Sequence, residues 1–232
     1  MPVIVVANPK GGVGKTTLST NIAGYYASRG HAVMLGDVDR QQSARTWLSL
    51  RPAGLAKISA WELAHDAVVR PPKGTTHVVL DTPAGLHGKR LDEVMKQADK
   101  VLIPLQPSIF DIHATHEFVR ELLAGKRRAA PSLSDPLGGR APQGGDRGAP
   151  STKRGERVQI AIVGMRTREG TIATDQLRGF LDKLKVPMLG FVRDTQNYVH
   201  LAAQGLTLWD VSSNRFERDL DQWQPVLQWV EA

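Results

Sequence analysis

The sequence predicts an α/β fold, a doubly wound and mostly parallel sheet with helices on both faces, in a single domain over residues 1–232. Six short apolar runs lack the polar–apolar alternation of a half-exposed strand, which predicts strands buried on both faces. Segments with apolar residues at helical spacing lie between most of these runs, as right-handed strand–helix–strand crossovers require. The predicted strands are 3–7, 32–35, 77–81, 100–105, 158–165 and 187–192.

Five predicted helices connect these strands. The first follows a glycine-rich turn and ends before Gly30, a residue type that often follows helices because it adopts positive φ without strain. The second is short, and the others carry apolar residues three and four positions apart. The predicted helices are 16–29, 42–50, 91–98, 112–124 and 172–184.

Two segments depart from this alternation. Residues 126–157 are rich in Gly, Pro, Ser and Arg and almost free of large apolar side chains, which predicts a mobile, basic surface loop. Such a loop is either a tolerated insertion or an electrostatic arm for DNA or a partner. The tail after Arg215 has an apolar stripe with an acidic polar face, which predicts a helix that closes the core, kinked or split at Pro225.

The composition limits the classes of function. The chain has no cysteine, so disulfides, thiolate metal sites and a cysteine nucleophile are excluded. The apolar run at 3–7 ends at Pro9 and Lys10, far short of a membrane span, and we expect a cytoplasmic protein. Because the first strand begins at residue 3, we expect no preceding helix-turn-helix. The formal net charge of +7 indicates either a surface excess of Lys and Arg or a polyanionic partner such as DNA.

A glycine-rich segment between the first strand and the first helix predicts a phosphate-binding loop. Glycines let backbone N–H groups curl around phosphate oxygens, and the helix N-terminus adds the positive end of its dipole. We expect Lys15 to reach the β- and γ-phosphates, the Thr16 hydroxyl to ligate Mg²⁺ and Thr17 to support the loop. Pro9 stands where the common motif has its first glycine. The predicted nucleotide-binding residues of this loop are Gly11, Gly12, Val13, Gly14, Lys15, Thr16 and Thr17.

The stretch KGGVGKTT, with lysines at 10 and 15, resembles the deviant Walker A motif of the ParA/MinD family of ATPases, in particular its small ParA-like branch. The resemblance covers about residues 1–125 and 158–210 and implies a P-loop NTPase fold with ATP and Mg²⁺ as cofactors. It also implies that Lys10 crosses a dimer interface to the nucleotide of the other subunit, so that Lys10 and Lys15 are both catalytic. Each added positive charge offsets repulsion between the two γ-phosphates and stabilises charge during transfer.

Carboxylates follow two of the predicted strands. Asp37 and Asp39 follow the second strand, and the resemblance identifies this stretch as switch I, with Asp39 positioning the attacking water and Asp37 near the Mg²⁺. Arg40 replaces the usual proline. Asp81 ends an apolar strand, as in a Walker B motif, and is expected to hold Mg²⁺ through water. The segment from Thr82 onward resembles switch II, in which a backbone N–H senses the γ-phosphate.

The expected base pocket has weaker support. Arg193 matches an arginine that lines the adenine pocket in ParA relatives, although an exposed loop arginine is the alternative. Met165 or Arg166 stands where relatives often carry an asparagine that reads the base. Nonspecific DNA binding, which needs Lys and Arg on one face, is the usual second activity of these relatives. The candidate DNA contacts, besides the basic loop, are Arg166, Arg168, Arg178, Lys183, Lys185, Arg193 and Arg215.

Three functions compete. The first is a nucleoid-associated partition or positioning ATPase that forms an ATP-induced homodimer, binds DNA and is released when a cargo-bound adaptor stimulates hydrolysis. The second is a MinD-like membrane-associated regulator, which the acidic face of the tail disfavours because anionic lipid repels it. The third is a metabolic ATP-dependent enzyme on the same fold, for which the sequence shows no substrate pocket.

Overall fold

The computed structural model describes residues 1–39, 41–61, 71–129, 158–168, 170–172, 174, 177, 179, 186–212 and 214–232. Seven strands in this part of the chain form one sheet in the order β3-β2-β4-β1-β5-β6-β7, and every neighbouring pair is parallel. The strands are β1 (Val3–Val6), β2 (Val33–Asp37), β3 (Ile58–Trp61), β4 (His77–Asp81), β5 (Lys100–Leu105), β6 (Gln159–Thr167) and β7 (Met188–Arg193).

Helices cover both faces of the sheet, which confirms the predicted fold class. They are α1 (Lys15–Ser28), α2 (Ser43–Leu50), α3 (Gly88–Met95), α4 (Ile109–Ala129), α5 (Gln196–Ala203) and α6 (Glu217–Glu231). One core cluster joins α3 and α4 to the sheet, and the other joins α1, α2, α5 and α6 to its opposite face. The central strands β1 and β5 are buried along their whole length, as their continuous apolar sequences predict.

The structure adds a strand to the predicted set and extends one predicted helix. Strand β3 was not predicted, because ISAW has only four residues and only its two ends are buried. Helix α4 continues through Ala129, so the first residues of the predicted basic loop are helical, and residues 130–157 lie outside the described residues. Most of the helix predicted over 172–184 also lies outside them, although residues 172, 174, 177 and 179 are helical.

The tail forms the predicted closing helix, and Pro225 does not split it. Trp223, Val226, Leu227 and Val230 of α6 are buried in the second core cluster. This burial holds the helix together although proline removes one backbone hydrogen bond. None of the described helices combines the length and the apolarity needed to cross a membrane.

Candidate nucleotide site

The predicted site residues meet at the carboxyl ends of three adjacent strands. Val6, the last residue of β1, lies opposite Asp81 at the end of β4, and Asp81 in turn lies opposite Asp37 at the end of β2. Ligands of parallel α/β sheets bind at this edge. The strand order therefore brings together a glycine-rich loop and two carboxylates that are distant in sequence.

The loop between β1 and α1 has the backbone shape of a phosphate cradle. Gly12 and Gly14 adopt φ values of 73° and 95°, which disfavour a side chain, and Gly14 is the residue before α1. Lys15 is 8% exposed, and its ammonium donates a hydrogen bond of 2.6 Å to the carbonyl of Lys10. Burial lowers the pKa of Lys15, against the opposing effects of Asp81 and Asp39.

Two side chains that sequence reasoning missed hold this loop in place. Asn8 is completely buried; its amide donates to the Pro104 carbonyl and to Thr115 Oγ1, and its Oδ1 accepts from the Lys10 N–H. Gln106 donates from Nε2 to the Gly12 carbonyl over 2.8 Å. Both residues tie the loop to β5 and the segment after it. Their signal in the sequence was only their position directly after a buried strand.

Thr16 and Asp81, the two residues predicted to hold Mg²⁺ together, are bonded to each other. The Thr16 hydroxyl donates to Asp81 Oδ2 over 2.6 Å, and Ser19, a contact not foreseen, donates to Oδ1 over 3.1 Å. Asp81 is 2% exposed, and burial raises its pKa to about 7. A buried carboxylate with too little compensating positive charge beside a hydroxyl suits a hard cation that prefers oxygen ligands. The arrangement therefore fits Mg²⁺.

The switch I carboxylates are held by backbone donors. Asp37 Oδ1 accepts from the Asp39 N–H, and Oδ2 accepts from the N–H groups of Ala44 and Arg45 at the start of α2. Burial raises the pKa of Asp37. Its predicted contact with the metal stays a prediction, because its oxygens here serve the loop and the helix. Arg40 lies outside the described residues.

Asp39 and the switch II segment face each other across a cavity of about 420 Å³. Asp39 is half-buried, and its Oδ1 accepts from the Gln41 N–H over 3.0 Å. On the other side, the Gly85 N–H donates to the Pro9 carbonyl over 2.8 Å. A backbone donor of the segment that resembles switch II is thus bonded to the phosphate loop itself.

The residues of the expected base pocket lie on neighbouring strands but differ in their surroundings. Arg166 is exposed, with a φ of 52°, where the pairing of β6 with β7 is irregular. Met165 is buried, and its side chain lies against Gly14 of the phosphate loop. Arg193 binds the completely buried Asp219 through Nε–Oδ1 and Nη2–Oδ2 distances of 2.5 and 3.1 Å. This ion pair joins β7 to α6, so Arg193 has a structural role that the sequence did not reveal.

The structure does not settle whether the candidate DNA contacts share one face. Arg168 is exposed and paired with Asp194 over 2.9 Å. Arg215 lies over the ring of Phe216, and Arg193 is engaged with Asp219. Arg178, Lys183 and Lys185 lie outside the described residues. A shared basic face remains a prediction.

Comparison with known proteins also indicates a nucleotide-binding domain. A family profile described as the CobQ/CobB/MinD/ParA nucleotide binding domain matches residues 4–208. Over 119 residues, the chain is 36% identical to "Maintenance of carboxysome distribution protein A" of Gloeobacter kilaueensis, covering 50% of this chain and 55% of that protein. Over 116 residues, it is 30% identical to "Protein ParA" of Rhizobium radiobacter, covering 48% of this chain and 51% of that protein. The chain thus spans about half the length of these curated relatives.

A solved structure supports the fold. The chain superposes on the ATP complex of a variant of McdA from Cyanothece with a TM-score of 0.67, covering 100% of this chain and 95% of that one. The sequence identity is 14%, and the likeness therefore concerns the fold alone.

Proposed function

The chain belongs to the CobQ/CobB/MinD/ParA nucleotide-binding domain family, and from this membership we propose that it is a positioning ATPase of the ParA type, which hydrolyses ATP to ADP and phosphate. The observation that carries the proposal is the convergence of the buried Lys15 and Asp81 with the half-buried Thr16 at one strand edge, with a second lysine, Lys10, in the same loop.

The residues of the site take distinct parts in this reaction. Lys15 exchanges the carbonyl of Lys10 for phosphate oxygens, and the N–H groups of the glycine loop bind the same anion. Thr16 and Asp81 hold Mg²⁺, which when bound neutralises charge on the β- and γ-phosphates. Asp39 orients the attacking water from the switch I side of the cavity.

Switch II supplies the sensing donor. The Gly85 N–H is bonded to the Pro9 carbonyl, and an incoming γ-phosphate offers that N–H a charged acceptor in its place. The exchange moves the segment that lines both neighbouring cavities. Nucleotide state thereby changes the surface beside the site.

Dimerisation extends this mechanism to a second copy. The Lys10 ammonium makes no hydrogen bond or ion pair with the part of the chain that the structure describes, while its backbone is fixed by Asn8 and Lys15. We assign this cation to the phosphates of the partner subunit's nucleotide, where it offsets repulsion between the two triphosphates. ATP therefore favours the dimer, and hydrolysis releases it.

We propose that the dimer positions cargo on the nucleoid. The net charge of +7 favours nonspecific DNA binding, whose affinity falls steeply with salt concentration. A cargo-bound adaptor stimulates hydrolysis, and the cargo is a plasmid, a chromosomal locus or a large protein assembly. The similarity to a carboxysome distribution protein supports the last of these. The membrane-associated alternative has less support, because the apolar stripe of α6 is buried in the core.

Nucleotide binding by a Lys15→Ala variant tests the ATPase assignment. We expect ATP affinity, measured by titration calorimetry with Mg²⁺, to fall at least about 30-fold, because a buried charged partner of the phosphates is lost. ATP hydrolysis is expected to disappear with it. Lys57→Ala, which removes an exposed lysine, is the matched control and keeps wild-type affinity. A Lys15→Ala chain that binds ATP as tightly as this control would contradict the proposal.

A further inference from the structure

An aromatic side chain projects into solvent at the nucleotide edge of the molecule. Phe110, in the first turn of α4, is 76% exposed, and its neighbour Ile109 is 53% exposed. Among the large apolar side chains that the described residues expose, these two are the only sequence neighbours, and Phe110 is the only aromatic. Gln106 bonds the segment before α4 to the phosphate loop, so this pair is held beside the nucleotide site. Such an exposed pair is typical of a contact surface.

A cleft of about 780 Å³ begins on α4 at Ala114, one helical turn after Phe110. One wall is the phosphate loop and switch II, with Pro9 and Leu86, and the other wall is α4, with Ala114 and Phe118. The lining combines the apolar Leu86 and Phe118, each 3% exposed, with the charged Glu117, Arg120 and Glu121. The cleft is large enough to take an aromatic side chain with its neighbour.

The projecting ring and the cleft lie on the same face of α4. Phe110, Ala114, Phe118 and Glu121 follow one another at spacings of three or four residues, which places them along one side of a helix. A two-fold symmetric contact requires a surface that is complementary to itself. A projecting ring and a partly apolar cleft on one helix face meet this requirement, since each copy offers what the other needs.

We propose that Phe110 of one copy seats in the cleft between switch II and α4 of a second copy, which makes α4 the apolar part of the dimer contact. The proposal deepens the function above and rests on its ATP-dependent dimer. We favour a second copy as the occupant of the cleft because this chain supplies both the projecting Phe110 and the cleft that receives it. Both lie at the edge that carries Lys10.

This contact links dimerisation to the nucleotide. Pro9 and Gly85 both line the cleft, and the hydrogen bond between them joins the phosphate loop to switch II. When the Gly85 N–H turns to the γ-phosphate, that bond is released and the wall of the cleft changes. The cleft therefore accepts the partner's Phe110 in the ATP-bound state in preference to the ADP-bound state.

The test measures the dimer dissociation constant by sedimentation velocity in saturating ATPγS and Mg²⁺. We expect Phe110→Ala to weaken the dimer at least tenfold, because an aromatic anchor at an interface centre is lost. Ala114→Trp, which fills the cleft from a half-exposed position, is expected to weaken it to a similar degree. Both variants keep the nucleotide affinity of the monomer, measured with a fluorescent ATP analogue at a chain concentration below the dissociation constant. Ile172→Ala, at a side chain 77% exposed, is the matched control.

The outcomes separate this contact from the function on which it rests. Loss of the dimer in both variants, with the Ile172→Ala control unaffected, supports the seating. A loss in one variant alone contradicts it, because ring and cleft act together. Dimers of wild-type strength in both variants overturn the proposal and leave the cleft to another occupant, such as an adaptor. A wild-type chain that stays monomeric overturns the dimer itself, and the contact with it.

Discussion

At the ionisable residues of the candidate site, burial and the attraction between opposite charges shift the pKa values in opposite directions. Burial raises the pKa of Asp81 and lowers that of Lys15, while the attraction between the two groups acts in the opposite direction. The pair therefore lacks full compensation within the described chain. An anion against Lys15 and a cation against Asp81 would each relieve part of this cost, and magnesium-bound ATP brings both.

His77 gives a residue-scale prediction away from the site. Its ring stacks on Tyr26 with centroids 4.1 Å apart and lies 4.2 Å from the ring of His31. Burial first, and then His31 and the N-terminal ammonium, lower the pKa of His77 to about 4, with Glu231 opposing. The unfolded chain takes up a proton near pH 6.5, whereas the folded chain does so only near pH 4. Stability is therefore lost as the pH falls between these values.

Replacement of the imidazole should remove this loss. We expect the melting temperature of His77→Phe to fall less than that of the wild type between pH 7 and pH 4.5. Phenylalanine keeps a ring against Tyr26 and cannot take up a proton. His113→Phe, at an exposed histidine, should decline like the wild type. If the melting temperatures of His77→Phe and the wild type fell equally between pH 7 and pH 4.5, His77 would not be the source of the acid-induced loss of stability.

The sequence predicted the site residues that lie at the carboxyl end of a strand or at the helix start that follows the next loop. Lys15, Thr16 and Asp81 could be placed because parallel strands end at a common edge. The Arg193–Asp219 pair could not, since 26 residues separate its members and Asp219 was expected on the polar face of the tail helix. Its complete burial depends on packing between elements, which a helical pattern does not reveal.

At the scale of elements, α1 packs closely against the segment that precedes α6. A methyl group at Gly24 would overlap the hydroxyl of Thr207 and lie 2.8 Å from its Cβ. The Thr207 hydroxyl donates to Asp210, which in turn pairs with Arg51 in a nearly buried ion pair. This network leaves Thr207 little room to move.

Gly24→Ala should therefore destabilise the chain. Overpacking costs about 1–3 kcal/mol, and the better helix propensity of alanine returns only about 1 kcal/mol. We expect a net loss of up to about 2 kcal/mol in the free energy of unfolding, measured by urea denaturation. The control is Gly125→Ala in α4, where a Cβ meets no atom within 4 Å and a small gain is expected. A Gly24→Ala chain as stable as that control would contradict the packing.

Sequence patterns found most elements but missed strand β3 and helix α5. Strand β3 and helix α5 have four and eight residues, and their burial comes from neighbouring elements. Pro225 suggested a break in the tail helix, but core packing of Trp223 and Val226 on either side of it outweighs one lost hydrogen bond.

At the scale of the whole molecule, the sheet order sets which parts can act together. With β1 at the centre, between β4 and β5, the phosphate loop touches switch II on one side and the start of α4 on the other. A change at the γ-phosphate would therefore reach the edge that carries Lys10 and Phe110. This route is the physical basis of the proposed nucleotide-dependent dimer.

The most direct measurement is the mass of the wild-type chain and of Lys10→Ala in solution by light scattering, with ATPγS and Mg²⁺ or with ADP. We predict that the wild type doubles its mass with the triphosphate alone, whereas Lys10→Ala binds nucleotide and stays a single subunit. A wild-type chain that remains monomeric at saturating triphosphate, or a Lys10→Ala variant that pairs as readily as the wild type, would contradict it.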